Sequence, residues 1–199
     1  MTGRHGFTLI EILVAVMLTG LLAGLALAPV VVTVRRVVDT QEEYADFSAL
    51  SMTLDFIARD ISQAMRLSPN VLTVADHEAL GGNAEDVLMV MSSSPAMQNL
   101  TAGTVVYKVT EGGMLHSDLI PGLYRWIMPN ADPSTVDHEK LSPEDAQLVL
   151  PGVDEFRVEI PTNEREDDNR KEYIGSLPAG IFIRLGRGDN HAQTVITLP

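Results

Sequence analysis

The chain has 199 residues, enough for one globular domain beside a membrane segment but not for two large domains. A formal net charge of −13 excludes a general nucleic-acid binder, because contact with phosphates requires a basic face. With no cysteine there is no disulfide, thiol nucleophile or thiolate-bound metal, so an extracytoplasmic domain must be held by its core or by a metal with other ligands.

The first predicted element is a membrane helix. Met1-Thr-Gly-Arg-His-Gly6 is short and mildly basic, which places the N-terminus in the cytoplasm. Ile12 to Val34 then carries no charge over 23 residues. As a helix rising about 1.5 Å per residue it spans roughly 35 Å, sufficient for a hydrocarbon core of about 30 Å. The run is too long for a secretory signal, whose apolar core is about 7 to 15 residues. A plain anchor does not explain Glu11, since an ionised carboxylate in lipid costs on the order of a few kcal/mol.

Gly6-Phe7-Thr8-Leu9-Ile10-Glu11, followed by an apolar helix, resembles the type IV prepilin and type II secretion pseudopilin superfamily. The resemblance implies that Gly6 precedes the bond cut by a prepilin peptidase and that Phe7 becomes an N-methylated new N-terminus. It also implies that Glu11, about 6 Å along the helix, pairs in a filament with the cationic amine of a neighbouring subunit. Residues 1–6 are then a leader, 7–36 the transmembrane segment and 37–199 a soluble head. Pro29, inside the helical pattern, predicts a kink, aided by Gly20 and Gly24.

After Arg36 the apolar residues Tyr44, Phe47, Leu50, Leu54, Ile57, Ile61 and Met65 recur every three or four positions, which predicts a core-facing amphipathic helix. Glu42, Glu43, Asp46, Arg59 and Asp60 fall away from that stripe. Ser68-Pro69-Asn70 ends the helix at about Arg66. The remainder reads as strands: 86–91, 104–110, 114–120, 123–128, 146–150, 153–160, 180–185 and 194–198. Glu111-Gly112-Gly113 and Gly186-Arg187-Gly188 read as hairpin turns. The predicted fold class is α+β, one long helix packed on an antiparallel sheet.

Two stretches read as loops. Residues 129–143 are polar and contain proline. Residues 162–171 carry Glu164, Glu166, Asp167 and Asp168, oxygen ligands of the kind calcium takes, but their spacing fits no EF-hand and Arg165 and Arg170 compete for them. A solvated loop is the predicted state, with no cofactor. His77, His116, His138 and His191 are scattered and form no metal-binding pair, and no Gly-x-Ser-x-Gly elbow occurs, so the chain is predicted not to be an enzyme.

Within the superfamily the head resembles a J-type minor pseudopilin. The features are Leu54-Asp55 to Arg66, Tyr107 to Leu115, Leu150-Pro151-Gly152-Val153 before Phe156-Arg157-Val158, and Leu177-Pro178-Ala179-Gly180-Ile181. The aromatic often found before the Leu-Pro strand is represented by Tyr173. This resemblance implies a subunit of a periplasmic pseudopilus, at or near its tip, that drives protein export by type II secretion. It implies the inner membrane as location, the head in the periplasm, and other minor and major pseudopilins as partners. The alternatives are a minor type IV pilin that primes a surface pilus, and a membrane-anchored sensor or ligand-binding head.

Overall fold

The computed structural model describes residues 8–65, 69–76, 82–93, 102–110, 119–161 and 172–198. Helix α1, Leu9–Ser62, runs through Pro29, whose carbonyl accepts a bond of 2.8 Å from the Thr33 hydroxyl. Its portion Leu9–Val38 has a mean hydropathy of 2.4 and no buried residue, and is long and apolar enough to cross a membrane. Two compact units divide the chain, Met1–Ala45 and Asp46–Pro199.

In the second unit the strands are β1 (Leu72–Ala75), β2 (Val87–Ser92), β3 (Gly103–Thr110), β4 (Gly122–Pro129), β5 (Gln147–Pro151), β6 (Glu155–Glu159), β7 (Glu172–Gly175), β8 (Gly180–Arg187) and β9 (Asn190–Thr197). They form a six-stranded sheet in the order β5-β4-β3-β2-β1-β7 and a three-stranded sheet β6-β8-β9, antiparallel throughout. The α+β architecture is therefore the one the sequence predicts, with two sheets in place of one. A short parallel bridge between Glu85 and Phe156 joins them. There the buried Asp86 accepts a bond from the Val158 amide at 2.6 Å.

Period-two alternation assigns the side chains. Leu88 and Val90 of β2, Val105, Tyr107 and Val109 of β3 and Leu123 of β4 meet Leu50, Leu54, Ile57 and Ile61 of α1. Phe156, Ile181, Ile183, Leu185 and Ile196 of the smaller sheet close the same core. Val87, Met89, Val106, Tyr124 and Trp126 point to the opposite face, and Val136, Leu141 and Ala146 pack against them. The segment 129–143 thus covers a sheet face, and its polar residues make short 3-10 turns at Pro133–Thr135, His138–Lys140 and Pro143–Asp145.

Several predictions from the periodicity need correction. Tyr44 is 75% and Phe47 53% exposed, so the buried part of the stripe begins at Leu50. The helix ends at Ser62, earlier than Arg66, because the next residues pair with the end of β2. The Met65 amide bonds the Met91 carbonyl at 2.9 Å, and Ala64 bridges Ser92. Strands β1 and β7, four residues each, are too short for their composition to mark them in the sequence. β9 begins at Asn190, and the turn of its hairpin is Gly188-Asp189, with Gly188 at φ +58 as a two-residue loop with glycine first requires. Residues 114–118, the turn at 111–113 and the acidic stretch 162–171 lie outside the described residues, as do His77 and His116.

Candidate functional site

Gly6 and Phe7 also lie outside the described residues, so the site is built from Thr8 onward. Thr8 stands at the N-cap of α1, where backbone amides have no intrahelical partner. Its amide and its hydroxyl both donate to Glu11 Oε2 at 2.9 Å, and the Glu11 amide approaches Thr8 Oγ1 at 3.4 Å. This reciprocal pairing of a cap residue with the third helical residue is a capping box. Glu11 is therefore not a lone carboxylate: Thr8 supplies two donors to one of its oxygens. The signal for it in the sequence is Thr-x-x-Glu ahead of an apolar run, at Thr8 and Glu11.

One helical turn apart on the same face as Glu11 come Ala15, Thr19 and Ala23, which line a shallow groove on the helix. Small residues at this spacing let a second helix approach closely in a membrane. Thr19 satisfies its own hydroxyl by bonding the Ala15 carbonyl at 2.7 Å, so the face presents no unpaired donor to lipid.

In the head the structure brings together three polar side chains that the sequence did not group. Asp60, set by the helical spacing on the solvent side of the stripe, is buried with Arg125 of β4 and Tyr107 of β3. Three donors converge on Asp60 Oδ2: Tyr107 Oη at 2.6 Å, Arg125 Nε at 2.8 Å and Arg125 Nη2 at 2.7 Å. The Arg125 guanidinium also lies 5.2 Å from the Phe56 ring centroid. Burial, with the adjacent Asp60 carboxylate second, pushes the Tyr107 phenol far above its ordinary range, so it stays a donor. The Ser92 hydroxyl bonds the Asp60 carbonyl at 2.9 Å, which ties the helix terminus to β2. The cluster is enclosed and offers no reactive group to solvent.

The described histidines lie apart: His138 in a 3-10 turn and His191 on β9, where Nδ1 approaches Glu155 Oε2 at 3.1 Å. Among the described residues no three His, Asp or Glu side chains are placed to hold a metal. What remains as a functional feature is the capped, acid-bearing start of a membrane-length helix.

Residues 1–27 match the family model of the prokaryotic N-terminal methylation motif. The match supports a type IV prepilin-like protein, and it spans Gly6, Phe7, Thr8 and Glu11. Such a motif implies processing by a prepilin peptidase and assembly with other pilin-like subunits. No curated protein matches the chain.

Proposed function

We propose that the chain is a minor pseudopilin of a type II secretion system, a structural subunit at or near the tip of a periplasmic pseudopilus, and not an enzyme. Gly6 precedes the cut, Phe7 is the methylated N-terminus, and Glu11 is the assembly contact. The observation that carries this reading is the methylation motif on a helix of membrane length whose start is capped by Thr8 and Glu11. Two oxygens serve two purposes: Oε2 is held by Thr8, and Oε1 is left for the amine of a neighbouring Phe7. The head is inferred to lie in the periplasm, opposite the basic leader. Its resemblance to J-type heads supports the secretion system over a surface pilus.

The test is to isolate the full chain from its native membranes, sequence its N-terminus and identify what accompanies it. A mature chain that begins at Phe7, recovered with other subunits of a type II secretion apparatus, is the expected result. A start elsewhere overturns the reading, and recovery with subunits of a surface pilus replaces it with the minor-pilin alternative.

A further inference from the structure

A sheet edge is a row of unpaired backbone groups, and proteins guard such edges with short strands, charges, proline or bulges. Among the described residues four strands stand at sheet ends, and three of these are guarded or covered. β5 has five residues, ends in Pro151 and breaks register opposite Leu123 and Tyr124. β7 has only four residues. The outer edge of β6 is closed by residues 84–86: the Phe156 amide bonds the Ala84 carbonyl at 2.7 Å and the Asp86 amide bonds the Phe156 carbonyl at 2.8 Å. β9 has eight residues, no Asp, Glu, Lys or Arg, and no proline, and its Val195 is 63% exposed.

The direction of its backbone groups follows from the ladder. The Leu198 amide bonds the Ala179 carbonyl, and in the same register Ile196 faces Ile181 and Thr194 faces Ile183. These alternate pairs exchange bonds with β8, so the N–H and C=O groups of His191, Gln193, Val195 and Thr197 point to the open side. Among the described residues no backbone group pairs with them there.

We propose that β9 is a docking edge that accepts an extended segment of a different pilin-like subunit as an added antiparallel or parallel strand. This rests on the assembly reading above. The choice of partner rests on charge: beyond Arg36 the chain holds 11 basic and 26 acidic side chains, a difference of −15. Two copies placed edge to edge would set two such heads against each other, whereas a segment flanked by basic residues is attracted.

The test uses the full chain in cells that carry its own filament system, with benzoylphenylalanine placed at Gln193 or, as control, at Glu159. Illumination is expected to link position 193, and not position 159, to another subunit that carries the methylation motif. Val195→Pro deletes an edge-facing N–H without touching the β8 ladder, and Val195→Lys keeps the N–H but guards the edge with a charge. Each should lower the crosslink about tenfold, the factor that corresponds to about 1.4 kcal/mol, while membrane level and thermal unfolding stay at wild-type values. If Val195→Pro alters unfolding, Val195→Lys decides. An undiminished crosslink in that variant, equal crosslinking at both positions, or none at position 193 overturns the proposal. A link between two copies of this chain overturns the choice of partner. The N-terminus is sequenced in the same samples: a mature start at Phe7 without an edge crosslink sinks the docking edge alone, and an unprocessed chain sinks the assembly reading as well.

Discussion

Arg125→Met isolates what the buried ion pair does for the head. The side chains of Arg125 and Asp60 are 1% and 3% exposed, so the substitution leaves a carboxylate in the core with the Tyr107 hydroxyl as its remaining side-chain donor of the three. Two opposite charges with centres roughly 4 Å apart attract by about 4 kcal/mol at an effective dielectric near 20. Breaking a buried pair from one side costs about 3 to 5 kcal/mol, because the other charge loses its compensation. With a urea slope of about 2 kcal/mol per molar, the midpoint should fall by roughly 2 M. Trp126 is the only tryptophan, is buried and donates to the Ser142 carbonyl at 2.8 Å, so its fluorescence reports unfolding of the head directly. The combined change Asp60→Leu, Arg125→Met and Tyr107→Phe removes both charges together and should recover most of the loss, since well-packed apolar replacements of buried ion pairs are neutral or stabilising. A midpoint unchanged in Arg125→Met, or a combined variant weaker than the single one, would refute this account of the cluster.

Leu54→Ala should lose about 2 to 5 kcal/mol of stability, whereas Phe47→Ala, at an exposed position of the same stripe, should change it by less than about 1 kcal/mol; urea unfolding followed at Trp126 separates them. The raised Tyr107 pKa has a signed consequence: the unfolded phenol ionises near pH 10 while the folded one stays neutral, so the head should lose stability as pH rises above about 10, and Tyr107→Phe should flatten that decline in a pH series. Glu11→Gln keeps an acceptor for the Thr8 amide and hydroxyl but deletes the charge, so membrane yield should stay at the wild-type level while filament incorporation, measured at matched expression, falls. Glu11→Leu should assemble no better, and normal incorporation of both would remove Glu11 as an assembly contact.

The membrane-length helix and the motif at its start were legible in the sequence, because both are local: an uncharged run and a fixed spacing from Gly6 to Glu11 need no tertiary partner. Most strand positions were legible for the same reason, since runs rich in Val, Leu, Tyr and Met between turn residues are a local signal. Helical spacing also located Leu50, Leu54, Ile57 and Ile61, but it extended the stripe to Tyr44 and Phe47, because periodicity says which residues share a face and not how far the opposing sheet reaches. The same limit hid Asp60. On a helical projection it belongs with the solvent residues, and only the arrival of Arg125 and Tyr107 from two central strands, 65 and 47 positions away, makes its burial tolerable. The end of α1 was decided in the same way, by backbone bonds to β2 that no local signal encodes. So the sequence by itself determined the membrane-length helix, the methylation motif at its start and the α+β class, all read from local signals along the chain. The tertiary structure alone decided the split into two sheets, the buried charge cluster and the unguarded β9 edge, because each depends on which distant backbone groups and side chains find one another.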